Sequence, residues 1–196
     1  MKTVRMTSQI AEELVEQRSR NGAGRLDECW EGVWHLTDPG MRHQRIAFGL
    51  CRVFAEVVED AARGTAWISI NVTDREEGWK ENHRCPDGAV ILEGNPGRWI
   101  GDPEVAFLGG PDLILEVLSQ DDETFEKFSF YAERGVRELL VVDQETCRPE
   151  LWRRVEGTFE KVDGPAVSEV TGLVFSWQEG ALEVRDTKTG RHWTIR

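Results

Sequence analysis

Two carboxylates and one amine in the middle of the chain have the types and spacing for metal-assisted phosphoryl chemistry: Asp87, Glu116 and Lys127. Glu116 sits inside the run Leu113-Ile114-Leu115-Glu116-Val117-Leu118. A strand so apolar is usually covered on both faces, and an ionised carboxylate there is costly unless something pairs with it. Asp112 shares a strand face with Glu116, but their Cα atoms would stand about 13 Å apart at strand rise, too far for one ion. The partner must come from another element. Asp87 follows Pro86 and precedes the apolar run Ala89 to Leu92. If that run is a strand beside Leu113–Leu118, Asp87 and Glu116 approach across the sheet. Lys127 lies one helical turn before Tyr131, on the helix expected right after the Glu116 strand. The set amounts to two carboxylates for a hard divalent cation and an ammonium for phosphate charge.

Each of these residues also has a plainer reading. Glu116 can be a buried acid paired with an arginine, Asp87 a turn residue after proline, and Lys127 a solvated surface lysine. Tyr131 reads as core packing with its hydroxyl satisfied, and Asp112 as an acceptor of backbone N–H groups at the strand entrance. Trp79 and Trp99 lie in loop-like stretches where a ring can stack on a base.

The elements that must position these residues follow from periodicity. A first helix is expected to run through about Ser19, capped by Thr7 or Ser8 and with Ile10 and Leu14 on one face. Leu26 to Leu36 reads as two short strands or a hairpin-like bend around Gly32. Ile46, Leu50, Val53, Phe54, Val57, Val58 and Ala61 have helical spacing, which predicts a long helix over Arg42 to Ala62. Strands are expected at Ala66–Val72, Ala89–Leu92, Leu113–Leu118 and Glu138–Val142, with a long connection over Gly94–Gly110 and a helix over Asp122–Arg134. After Pro149 come short strands only: Glu150–Val155, Thr158–Val162, Leu173–Trp177, Leu182–Arg185 and His192–Ile195, separated by turn signals. The order of elements gives an α+β or mixed α/β class in one domain over residues 1–196.

Composition narrows the function. The 196 residues suffice for one domain with a substantial core, and 39% hydrophobic against 31% charged residues argues for a folded chain. No apolar run is long enough for a membrane span, and Met1 to Arg20 lacks the apolar centre of a signal peptide. Cys29, Cys51, Cys85 and Cys147 match no zinc spacing and read as reduced thiols in a cytoplasm. A net charge of −12 works against broad electrostatic binding to nucleic acid or to anionic membrane, although a local basic surface can sit on an acidic body.

Four segments, "LDECWEGVWHL…RHQRI", "RCPDGAVIL", "GGPDLILEVLS" and "EKFSFYAERGVRELLVVD", together resemble the Uma2 family of restriction endonuclease-like proteins. The resemblance covers about Leu26 to Trp152, in the family's order. It implies the PD-(D/E)xK nuclease fold, a mixed sheet flanked by helices, here with a strand-rich carboxyl-terminal part. It makes Asp87 and Glu116 the ligands of Mg²⁺ or Mn²⁺. The usual lysine two residues after the glutamate is missing, since Leu118 stands there, and the family's lysine on the following helix corresponds to Lys127. Glu28 matches an acidic position facing the site, with a hairpin surface charge as its plainer reading. His43 matches the family's histidine at the start of the long helix, where a structural role is the plainer one. The activity implied is metal-dependent hydrolysis of nucleic-acid phosphodiesters, DNA ahead of RNA, with a homodimer as an analogy. A non-catalytic binding or scaffold module that keeps the fold is the alternative, favoured by the acidic balance and by Leu118. A metal-dependent enzyme on another phosphate ester is a third.

Overall fold

The computed structural model describes residues 4–6, 9–101, 105–119 and 123–196, with side chains from residue 13 onward. The proposed caps Thr7 and Ser8, the Ile10 side chain and Asp122 lie outside the described residues. The site rests on a six-stranded sheet ordered Thr158–Lys161, Pro149–Val155, Glu138–Asp143, Leu113–Leu118, Gly88–Leu92, Gly64–Ile68. Leu113–Leu118 runs parallel to Glu138–Asp143 and antiparallel to Gly88–Leu92. The remaining pairs are antiparallel. The parallel pair needs a crossover, and the segment holding Lys127 supplies it.

The strand period of two sorts the central residues between two apolar layers. Leu113, Leu115 and Val117 join Leu140 and Val142 against Ile46, Leu50 and Phe54 of the helix Met41–Val58. Ile114, Ala89 and Leu139 turn to the other face and meet Phe130, Tyr131 and Val136. Glu116 is therefore on the face covered by the helix Phe128–Arg134. Both faces of the strand are closed, as its apolar run requires.

A second sheet of seven short strands lies in the order Val4–Met6, Val33–Leu36, Glu28–Trp30, His83–Arg84, Val72–Thr73, Ala106–Leu108, Arg98–Ile100. A four-stranded sheet formed by Ala166–Val167, Leu173–Gln178, Ala181–Asp186 and His192–Ile195 completes the carboxyl-terminal part. Its Leu173, Phe175, Leu182, Val184 and Ile195 join the same apolar cluster as Ile46 and Leu113. The class is thus the expected α+β, with mixed sheets, flanking helices and a strand-rich end.

Three expectations need correcting. Gly94–Gly110 is not one connection: it contains the strands Arg98–Ile100 and Ala106–Leu108, three residues each, which pair with one another. Ala66–Val72 is not one strand. Gly64–Ile68 belongs to the six-stranded sheet and Val72–Thr73 to the seven-stranded one, and Ser69, at φ 52°, bends the chain between them. The helix before Arg134 begins as a 3-10 turn over Thr124–Lys127 and becomes α-helical only at Phe128. It ends at Gly135, whose φ of 88° closes the αL cap.

Candidate active site

Asp87 stands one residue before the strand Gly88–Leu92. The strand register pairs Gly88 with Leu115, so Asp87 stands just beyond that pair, next in line to Glu116. A side chain at Gly88 would meet Cys51 Sγ at 2.5 Å, so glycine is what lets this strand end lie close to the long helix. Asp87 Oδ2 accepts a hydrogen bond from the Val117 N–H at 2.7 Å and lies 3.2 Å from His43 Nε2. Its side chain is 18% exposed, which makes it the open edge of an otherwise buried group.

Glu116 is 3% exposed. It receives Lys127 Nζ at 3.1 and 3.2 Å and the Tyr131 hydroxyl at 2.7 Å. The 3-10 turn explains the reach. It brings Lys127 under the strand, 5% exposed, and Tyr131 follows one turn later from the α-helical part. Lys127 Nζ also donates to Glu28 Oε1 at 2.9 Å. Glu28, from the seven-stranded sheet, further accepts the Cys85 N–H at 2.8 Å and Trp30 Nε1–H at 2.7 Å. The ammonium therefore bridges two sheets through two buried carboxylates.

The two glutamates differ in their acidity. Burial drives the Glu116 carboxyl up to about 8; Lys127 opposes this, while the charges of Asp87 and Glu28 add to it. Burial also pushes Glu28 upward, but Lys127 and the N–H donors of Cys85 and Trp30 outweigh it and leave Glu28 below the usual carboxylate range. Of the two, Glu116 is thus the acid whose proton is held more tightly. The same proton-holding acid is a latent place for positive charge.

The sequence-derived set Asp87, Glu116, Lys127, Glu28 and His43 is brought together from five segments of the chain, with His43 linked through Asp87. Asp112 takes no part. It accepts the Leu92 N–H and Asn95 Nδ2–H, both at 2.8 Å, and pairs with Arg137 at 3.3 Å, which is a strand-entrance brace. Tyr131 is core with its hydroxyl satisfied, and the satisfying group is Glu116. Trp79 is engaged by His83 and Lys80, and Trp99 by Trp67 and Phe107. An aromatic that the sequence reading passed over is Phe48, 63% exposed on the long helix. The available signal was its position: an apolar residue off the apolar stripe.

Asp87 and Glu116 fit a hard divalent ion in donor type, since both offer carboxylate oxygens. Among the described residues no group of three or more His, Cys, Asp or Glu side chains is arranged to hold a metal. A bound ion would thus rest on these two carboxylates, with water completing its shell, as Mg²⁺ commonly does.

The model of the Uma2 family, described as "Putative restriction endonuclease", matches residues 11–185. Among solved structures, the chain is similar to "a putative nuclease belonging to DUF820" from Anabaena variabilis ATCC 29413. The two are 21% identical, with 74% of this chain and 83% of that chain covered and a TM-score of 0.58. That likeness is one of fold. No curated protein matches.

Proposed function

The chain belongs to the Uma2 family, and from that premise we propose that it is a divalent-metal-dependent endonuclease hydrolysing nucleic-acid phosphodiesters, DNA ahead of RNA. The observation that carries the reading is the meeting of Glu116, Lys127 and Glu28 under one strand, with Asp87 next in line to Glu116 at the solvent edge. Asp87 and Glu116 hold Mg²⁺ or Mn²⁺. When bound, the ion supplies a more acidic water and neutralises phosphate charge. Val117 N–H and His43 hold the Asp87 carboxylate in place. Tyr131 holds Glu116. Lys127 sets its ammonium beside Glu116, where it meets the negative charge that grows on the phosphoryl oxygens or orients the attacking water. Glu28 anchors that ammonium from the far side. The carboxyl-terminal sheet belongs to the same domain in this reading, because it shares the apolar core of the long helix.

One observation favours the alternative of a non-catalytic binding module. Glu116 and Lys127 are 3% and 5% exposed and already satisfy one another. Incubation of the protein with plasmid DNA, linear DNA and RNA, in Mn²⁺ or in EDTA, separates the two. The endonuclease reading expects cleavage in Mn²⁺, none in EDTA and none with Glu116→Gln. Intact substrates in every metal-loaded reaction overturn it in favour of the binding module.

A further inference from the structure

A cleft of about 600 Å³ opens beside the candidate site, lined by the 3-10 turn Ala23–Leu26, the start of the long helix and the bend at Ile68-Ser69. Its volume lies within the roughly 300–1,000 Å³ typical of small-molecule pockets. Of the cluster residues His43 alone lines it, and His43 is the residue that touches Asp87, the exposed edge of the cluster. The His43 Nδ1 is buried without a partner. The backbone of Arg25 passes close to Cys85, two residues before Asp87, with Cys85 Sγ 4.0 Å from the Arg25 carbonyl.

The lining residues suit a nucleotide. Phe48 offers a ring that is 63% exposed, with Ile68, 46% exposed, on the same cleft. Two arginines line it, but they differ. Arg18 is committed: it binds both Asp27 carboxylate oxygens at 2.8 Å and the carbonyls of Ala23 and Thr37. Arg25 is exposed, and its guanidinium pairs with no protein group among the described residues. A chain of net charge −12 is poorly suited to hold nucleic acid by broad phosphate neutralisation. Stacking on an aromatic ring needs no net positive charge, and it requires an unpaired base.

We propose that this cleft holds one unpaired nucleotide of the substrate strand, its base stacked on Phe48 and its phosphate paired with Arg25, next to the phosphate delivered to Asp87. The inference rests on the endonuclease reading for its orientation and deepens it. The substrate class becomes single-stranded nucleic acid, or a duplex with an unpaired end or flap, rather than blunt duplex.

Binding of a short fluorescein-labelled single-stranded DNA, measured by anisotropy in EDTA, tests this without cleavage. Wild type binds the single strand in preference to a blunt duplex of the same sequence. Phe48→Ala and Phe48→Leu weaken single-strand binding by about tenfold or more, the scale of one lost base–aromatic stack, whereas Phe48→Tyr retains it. Arg25→Gln makes binding less salt-dependent, lowering the slope of log K against log[salt] by about 0.7, the value for one phosphate contact on a single strand. Equal binding by wild type and Phe48→Ala overturns the proposal, as does no binding or a preference for blunt duplex. Retention of affinity in Phe48→Leu also overturns it, because an apolar contact then replaces stacking. Phe48-dependent binding by a wild type that cleaves nothing in Mn²⁺ overturns the endonuclease reading and leaves the cleft standing.

Discussion

Glu116 and Glu138 lie on adjacent parallel strands, three and one per cent exposed, and their surroundings treat the same chemistry in opposite ways. Glu138 is fully provided for. Arg153 donates to its Oε1 at 3.1 and 3.3 Å, and the Glu169 N–H joins at 2.9 Å. Ser168 Oγ donates to Oε2 at 2.6 Å, with the Val170 N–H at 3.3 Å. The Ser168, Glu169 and Val170 donors tie the carboxyl-terminal segment to the central sheet, to which Arg153 itself belongs. Glu116 has a hydroxyl and an ammonium, but that ammonium also serves Glu28, and Asp87 stands next in line. Its proton is correspondingly held to about 8. Burial of an acid is therefore no sign of a site. Crowding of acids around too little positive charge is a better one.

The comparison breaks most sharply at Lys127. Lys127→Ala is expected to lower the cleavage rate by about 10²-fold or more, the scale for losing one preorganised charge stabiliser. Mn²⁺ affinity should stay level or rise, since a competing cation has gone. Equal rates for the variant and wild type would make Lys127 a structural tie like Arg153.

Glu138→Gln should act on stability alone. Leaving Arg153, Ser168 and two backbone N–H groups short of a charged acceptor costs about 1–3 kcal/mol, read as a lower urea midpoint. Cleavage per folded molecule should match wild type. A loss of activity without a loss of stability would make Glu138 part of the site.

The smallest effect is in the pH profile. Glu116 has a folded value near 8 against an ordinary 4.5, so its proton is bound more tightly in the folded state. Its contribution is complete below about 4.5 and is lost as pH rises through about 8. Glu28, held low, works in the other direction, stabilising above the ordinary carboxylate range and losing that effect as pH falls below it. In EDTA, urea midpoints of wild type should fall from pH about 5 to about 9. Glu116→Gln should flatten that limb.

Much of this site was legible in the chain. A lone acid in a run apolar on both faces marks Glu116, and the spacing from Pro86 to Leu92 sets Asp87 beside it. Helical spacing and then the resemblance pointed to Lys127, and the resemblance to Glu28 and His43, but the geometry of their meeting was not legible. A 3-10 turn, not the smooth helix that periodicity suggests, carries Lys127 under the strand. Glu28 arrives from the other sheet, whose strands are mostly two to four residues long, too short to show a period. The same brevity hid Arg98–Ile100 and Ala106–Leu108 within a stretch rich in glycine and proline. Glu138 gave no warning either, because its arginine comes from a neighbouring strand and its serine from a loop 30 residues further along the chain.

The central claim is that the crowded acids at Glu116, and not the satisfied one at Glu138, take up a divalent cation. Thermal unfolding of wild type, Glu116→Gln and Glu138→Gln in Mn²⁺ and in EDTA tests it directly. A ligand confined to the native state adds about 2.7 kcal/mol of stability at a hundredfold excess over its Kd. The expected result is that Mn²⁺ stabilises wild type and Glu138→Gln on that scale and leaves Glu116→Gln unmoved. An equal stabilisation of Glu116→Gln, or none in wild type, would contradict it.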